Sequence, residues 1–196
     1  GPKLYCLSGH VNRPGCYEAP LGITVRELID RFGGGVWKNR KAKAAIPGGI
    51  SMGILTEAEF DTPLDFSGPG KVGCLGLGTA AVVVLDETVS MIDFLYNSCR
   101  FFAHESCGQC TPCREGTSWS LRMIERIRAG KGRIKDLDLL LEIGTTIGMM
   151  PGTTICGLAD GAGWPIKNTI KKFRDECEDY VKRTNPTGWM VNEPVP

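Results

Sequence analysis

The chain has 196 residues, a net charge of +1 and 42% hydrophobic residues. This composition allows a packed core, and the near-zero charge gives no reason to expect nucleic-acid binding. The longest apolar runs, such as Ala80–Leu85, are far too short to span a bilayer, so no direct membrane insertion is expected. The nine cysteines are an odd number, which disfavours a secreted disulfide framework and favours a reducing compartment in which thiolates bind metal.

The first part of the chain, residues 3–85, is predicted to be a small α/β unit. Its alternating or β-branched segments predict four strands, over residues 3–11, 16–19, 43–46 and 80–85. Thr24 followed by Glu27 matches a capping box, so a short helix is predicted between the second and third strands. Residues 50–71 are rich in Gly, Pro and Asp and are predicted to form a connecting loop. The order strand, strand, helix, strand, strand is that of a β-grasp unit.

The next part, residues 86–184, switches to helical periodicity. Apolar residues repeat at helical spacing from Ile92 to Phe102, which indicates an amphipathic helix. Four helices are predicted from such patterns, with starts at Asp86 or Thr88, near Arg114, at Asp136 and near Pro165. Residues 185–196 contain three prolines and are predicted to be an extended tail. The predicted fold class is therefore α+β, with a β-grasp domain followed by a four-helix bundle.

The most informative motif is a run of three cysteines at every third position. Cys107, Cys110 and Cys113 form this run, and a fourth cysteine, Cys156, lies 43 positions further on. A Cys-x-x-Cys-x-x-Cys run lets one loop cover three corners of an iron–sulfur cube, and the remote cysteine can close the fourth corner. Zinc sites more often present two separated Cys-x-x-Cys pairs. The sequence therefore predicts a 4Fe–4S cluster, with structural zinc as the alternative.

The other cysteines are interpreted without metal chemistry. Cys99 and Cys177 fall on apolar helical stripes and are expected in the core. Cys6 and Cys16 lie on neighbouring predicted strands, and a disulfide between them is disfavoured by the reducing compartment.

Two segments also carry a family resemblance. Residues 105–116, ESCGQCTPCREG, together with residues 154–160, TICGLAD, resemble the flavin- and NADH-binding subunit of respiratory complex I, NADH:quinone oxidoreductase. The resemblance extends over nearly the whole chain, including SGHV at residues 8–11 and PGCYE at residues 14–18. It implies a soluble-ligand-binding β-grasp domain and a cluster domain. The ligands that it implies are Cys107, Cys110, Cys113 and Cys156, on a 4Fe–4S cluster that takes single electrons from reduced FMN and passes them towards quinone.

The resemblance also carries expectations about what surrounds the cluster. The family's larger domain, which holds FMN and NAD, has no counterpart in this sequence, so the chain alone is not expected to oxidise NADH. The turn formed by Gly157, Leu158 and Ala159 is expected to lie near the flavin. The implied partners are other peripheral-arm subunits, above all a 2Fe–2S thioredoxin-like subunit and the iron–sulfur relay subunit. In a bacterium, the implied location is the cytoplasmic side of the inner membrane.

Two other interpretations stay open at this point. One is the corresponding subunit of a related NAD-dependent hydrogenase or formate dehydrogenase. The other is a non-redox binding module in which the metal is purely structural.

Overall fold

The computed structural model describes residues 1–148 and 153–188. Contacts divide the chain into two compact units, the first Gly1–Val89 and the second from Ser90 onward. The first unit contains a five-stranded sheet and the second is helical, so the fold is mixed α+β as predicted. Residues 149–152 and 189–196, which include most of the predicted tail, lie outside the described residues.

One mixed sheet organises the first unit. Its strands are β1 Pro2–Gly9, β2 Gly15–Pro20, β3 Ala42–Ile46, β4 Leu55–Thr56 and β5 Ala81–Asp86. The strand order is β2-β1-β5-β3-β4, with β1 and β5 parallel and the other neighbouring pairs antiparallel. The four predicted strands are confirmed. The short strand β4 was not predicted, because it lies inside residues 50–71, where Gly, Pro and Asp indicated a loop.

The predicted helix of the first unit is confirmed, including its capping box. The Thr24 hydroxyl accepts the Glu27 N–H at 3.1 Å, and the Glu27 carboxylate accepts the Thr24 N–H at 3.1 Å. These bonds satisfy two N–H groups that the first helical turn leaves without partners. This helix consists of α1 Val25–Glu27 and a wide π-helical turn Leu28–Phe32. The other helical segments of the unit are α2 Gly68–Lys71 and single 3-10 turns at Trp37–Asn39, Ile50–Met52 and Glu57–Glu59.

At β1, the core of the first unit lies on one face of the sheet. Along β1, Tyr5 and Leu7 are buried, whereas Leu4 and Cys6 are exposed, as the two-residue period of a strand requires. Val82 and Val84 of β5 are fully buried in the same cluster of side chains. The opposite face of β1 is therefore a surface, and Cys6 belongs to it.

Asp86 ends β5, and the prediction that Asp86 or Thr88 caps the first long helix is wrong. Ser90 is the N-cap, and its hydroxyl accepts the Asp93 N–H at 3.3 Å. The Asp86 side chain is fully buried. It accepts the Thr88 hydroxyl at 2.6 Å, the Thr88 N–H at 2.9 Å and the Arg40 guanidinium at 3.1 Å. Asp86 is thus committed to contacts inside its own unit.

These contacts predict an acid-labile contribution to stability. Burial alone would raise the pKa of Asp86, but the bonds from Thr88 and Arg40 outweigh it and lower the pKa from 3.8 to about 2. Since the folded pKa is the lower one, the stabilisation is present above about pH 4 and is lost as the pH falls towards 2. Asp86→Asn should cost about 2 kcal/mol near pH 7 and little near pH 2, measured by urea unfolding. Glu18→Gln, at an exposed position of β2, is the control and should leave the pH dependence unchanged; a constant loss across the pH range would contradict the assignment.

Helices build the second unit around a shared apolar core. They are α3 Met91–Glu105, α4 Thr111–Arg126 with a wide turn Ile127–Lys131, α5 Ile134–Thr146, α6 Leu158–Lys172 and α7 Arg174–Thr184. Every one of these helices contributes to a single cluster of buried side chains, which includes Leu95, Ile124, Leu140, Ile170 and Cys177. The predicted core positions of Cys99 and Cys177 are confirmed, because both are buried.

Two of the predicted helix starts differ from the structure by about one turn. Helix α4 begins at Thr111 rather than Arg114, because Pro112 fits the first turn, where its missing N–H costs nothing. Helix α5 begins at Ile134, and Asp136 is its third residue rather than its cap. The Asp136 carboxylate nevertheless reaches back and accepts the Arg133 N–H at 2.7 Å.

The prediction of one last helix that starts near Pro165 is wrong. Helix α6 already begins at Leu158 and carries Pro165 in its interior, and a break at Phe173 (φ −122°, ψ 35°) separates it from α7. The described part of the second unit therefore has five helices. Tight packing offsets the helix-breaking tendency of proline: α6 approaches α5 so closely that a Cβ on Gly163 would lie 2.5 Å from the Gly144 carbonyl oxygen.

Candidate metal centre

The four predicted ligand cysteines lie at the starts of two helices of the second unit. Cys107 is exposed in the loop after α3, Cys110 is the N-cap residue of α4, and Cys113 is buried in the first turn of α4. Cys156 is exposed, two residues before α6 begins. Local sequence explains this arrangement, since a loop with glycine and a first-turn proline bends the chain into α4 around the cysteine run.

One cavity brings these four cysteines together. It has a volume of about 220 Å³, and it is lined by Glu105, Cys107, Gln109, Cys110, Cys113, Thr154, Cys156, Leu158 and Ala159. All of these residues belong to the second unit. The loop before α4 and the segment before α6, which are remote in sequence, thus form the two sides of one site.

Gly108 and Arg114 hold the shape of the cysteine loop. Gly108 has φ +78°, a left-handed conformation that costs other residues roughly 1–2 kcal/mol. Its carbonyl oxygen accepts the Arg114 guanidinium at 2.8 Å, and a second nitrogen of that group lies 3.5 Å from the Thr111 hydroxyl. The guanidinium therefore braces the turn between Cys107 and Cys110 and also places a positive charge beside the site.

Two hydrogen bonds reach the sulfur atoms of this site. The Ile155 N–H donates to the Cys110 sulfur at 3.3 Å, and the Ser106 hydroxyl lies 3.3 Å from the Cys113 sulfur. The N-terminal end of α4 adds the positive end of its dipole beside Cys110 and Cys113. Donors and dipoles of this kind tune the properties of a metal group that is bound through those sulfurs. Sequence reasoning missed Ser106 and Ile155, although the serine directly before the cysteine run was a usable signal.

The donor set and the cavity fit a cluster better than a single ion. Four sulfurs at the corners of a zinc site would lie only about 3.8 Å apart, given Zn–S bonds of about 2.3 Å. Among residues 1–148 and 153–188, no three Cys, His, Asp or Glu side chains are gathered closely enough to hold one metal ion. The cysteines instead surround a volume, which suits a multi-atom group with sulfur ligands.

The turn that was expected to lie near a flavin borders the same cavity. Gly157 is exposed and is the N-cap residue of α6, whereas Leu158 and Ala159 begin the helix and line the cavity beside the cysteines. Ala159 is almost fully buried. His104 lies outside the cavity lining; it is 85% exposed and its ring contacts Glu105 at 3.0 Å.

Two family models match the chain. Residues 93–180 match the NADH-ubiquinone oxidoreductase-F iron-sulfur binding region, which contains all four cysteines of the cavity. Residues 4–55 match the SLBB domain, which covers β2 and β3, most of β1 and the first residue of β4. The first match supports a 4Fe–4S cluster as the group that this part of the chain carries.

Curated relatives match nearly the whole chain. The F subunit of NADH-quinone oxidoreductase in Mycobacterium bovis is 48% identical over 182 residues, which cover 93% of this chain and 40% of the relative. The F 2 subunit of the same enzyme in Rhizobium meliloti is 45% identical and is covered to 42%. The chain thus spans about 40% of the length of these relatives.

A solved structure gives the same result for the fold. The crystal structure of an NAD+-reducing [NiFe]-hydrogenase in the air-oxidised state matches with a TM-score of 0.80 and 31% identity, over 92% of this chain and 30% of that chain. Within the described residues, no helix is long and apolar enough to cross a membrane. By sequence and fold, the chain is similar to a part of the NADH-quinone oxidoreductase F subunits that includes their iron–sulfur binding region.

Proposed function

We propose that this chain is the electron-relay part of an NADH-oxidising flavoprotein subunit, and that Cys107, Cys110, Cys113 and Cys156 hold its 4Fe–4S cluster. Single electrons would arrive from reduced FMN and leave towards quinone. FMN and NAD belong to the parent subunit, and we do not expect this chain alone to bind them or to oxidise NADH. The observation that carries the proposal is the cavity of about 220 Å³ on which four cysteines from two remote segments converge.

Several residues of this chain are suited to hold a one-electron redox centre. A 4Fe–4S cluster supplies a one-electron redox couple with four thiolate ligands. The Ile155 N–H and the Ser106 hydroxyl, at 3.3 Å from the sulfurs of Cys110 and Cys113, can stabilise negative charge on those ligands. Leu158 and Ala159 cover one side of the cavity with apolar surface.

Anaerobic reconstitution with iron and sulfide tests this proposal. We expect brown protein with about four irons per chain, broad visible absorption that dithionite bleaches, and recovery of that absorption on reoxidation. Reconstitution with zinc alone is the control. Colourless protein that takes up one zinc ion, or iron that shows no reversible redox couple, would favour the non-redox binding module instead.

The comparisons support a proposal for the parent enzyme and its partners. The identity of 45–48% to NADH-quinone oxidoreductase subunits exceeds the 31% to the NAD+-reducing hydrogenase, so we propose the quinone-reducing complex over a hydrogenase or formate dehydrogenase. The proposed partners are other peripheral-arm subunits, namely a 2Fe–2S thioredoxin-like subunit and the iron–sulfur relay subunit. The proposed location is peripheral, on the cytoplasmic side of a bacterial inner membrane. We also propose a β-grasp fold for the first unit, which the parallel β1–β5 pair and the SLBB match support.

A further inference from the structure

Two cysteines outside the cluster cavity face each other on the surface of the first unit. Cys6 of β1 and Cys16 of β2 are direct partners in the register of the antiparallel pair, and both side chains are exposed. Their sulfur atoms lie 3.7 Å apart, compared with about 2.05 Å in a disulfide. The two sulfur atoms are close enough to be in contact, and neither cysteine lines the cluster cavity.

The backbone already has the geometry that a cross-strand disulfide needs. The Cys6 N–H donates to the Ala80 carbonyl oxygen at 3.1 Å, on the side of β1 where β5 lies, and therefore points away from β2. Cys6 and Cys16 are thus a non-hydrogen-bonded pair, in which the Cα atoms lie about 4.5 Å apart. Disulfides accept Cα separations of about 4.4–6.8 Å. Rotation of the two side chains is then enough to form the bond, and no strand has to move.

The surroundings leave the pair open to reagents. Both cysteines lie on the sheet face opposite Tyr5 and Leu7, which are buried, so bond formation disturbs no core side chain. Both thiols are exposed, so a small disulfide can reach either of them.

We propose that Cys6 and Cys16 form a reversible dithiol–disulfide site that is oxidised by exchange with a low-molecular-weight disulfide. One of the two protein thiolates attacks one sulfur of the small disulfide, forms a mixed disulfide and releases the first small thiolate. The other protein cysteine, as thiolate, then attacks the protein sulfur of this mixed disulfide, forms the cross-strand bond and releases the second. The two protein thiols lose two electrons and two protons in total, and one small disulfide becomes two small thiols.

Peptide mapping of the native chain after exposure to oxidised glutathione tests this proposal. Trypsin does not cut between Arg13 and Pro14, so one peptide of residues 4–26 carries both cysteines and no other. We expect this peptide to lose two hydrogens, to carry no glutathione and to resist alkylation until it is reduced. A peptide with two glutathione adducts, or one that stays fully alkylatable, would overturn the proposal.

The chain offers a matched internal control and two trapping variants. The tryptic peptide of residues 72–100 carries Cys74 and Cys99, which are both buried, and burial raises the pKa of Cys99 to about 12. This peptide should stay unmodified in the folded chain and react only after unfolding. Cys16→Ser and Cys6→Ser should each accumulate one stable glutathione adduct on the cysteine that remains. If neither variant gains an adduct, the proposed sequence of steps fails.

Discussion

Cys156→Ala is expected to abolish stable cluster binding, whereas Cys177→Ala should leave it intact. Cys156 is one of the four cysteines that line the cavity, so its loss leaves one corner of the proposed site without a protein ligand. Loss of groups that merely support metal ligands already weakens metal binding by about 10–100-fold, and loss of a ligand should cost at least as much. Iron and sulfide content and visible absorption after anaerobic reconstitution would measure the effect.

Cys177 is a suitable control because it carries the same thiol in a different setting. It is fully buried in the apolar core of the helical unit and does not line the cavity. Its replacement should lower stability through lost packing while the iron content of the folded fraction stays normal. Far-ultraviolet circular dichroism of both variants separates folding from cluster loss. Equal loss of iron from the two folded variants would show that Cys156 is not the fourth ligand.

Asp136→Ala is expected to destabilise the helical unit by about 3 kcal/mol. The carboxylate is fully buried, and it contacts the Arg126 and Arg133 guanidinium groups at 2.7 and 3.1 Å. It also accepts the Arg133 N–H at 2.7 Å at the start of α5. Removing it leaves two guanidinium groups, each about a third exposed, without their shared acceptor. Urea unfolding followed by circular dichroism would measure the loss.

Asp138→Ala provides the comparison on the same helix. Asp138 also pairs with an arginine, Arg174, at 2.7 Å, but its side chain is 60% exposed. Exposed ion pairs typically contribute about 0–1 kcal/mol, so this variant should unfold close to the parent chain. Similar losses of unfolding free energy in the two variants would mean that burial does not determine how much each carboxylate contributes to stability.

Sequence patterns predicted the structure correctly where neighbouring residues alone determine it. Thr24 and Glu27 form their capping box within four residues, and the apolar stripe from Ile92 to Phe102 marks α3 because one helix face meets the core. Patterns failed where a distant partner decides. Asp86 is a residue type that often caps helices, but its bond with Arg40 and its position at the buried end of β5 hold it in the first unit. Pro165 is a residue type that often begins helices, but close packing of α6 on α5 accommodates it within a longer helix.

The candidate site shows the same division. The cysteine spacing identified the side chains that line the cavity, because sulfur ligands are residue types that a sequence displays directly. The bond from the Ile155 backbone to Cys110 depends on how two remote segments meet, and every residue except proline has such an N–H. Cys6 and Cys16 were expected on neighbouring strands, but that they lie directly opposite each other depends on the register of β1 and β2, which the sequence pattern did not determine.

The division of the site between two segments has a mechanical consequence. With the proposed ligands, the cluster would be a covalent cross-link that closes a loop of 43 residues between Cys113 and Cys156. By chain entropy alone, a closure of that length restricts the unfolded chain by about 4 kcal/mol, which is a large part of the stability of a typical domain. Oxidative destruction of the cluster would then remove this cross-link as well as interrupt electron transfer. The free energy of unfolding of the helical unit would in that case indicate whether the cluster is intact.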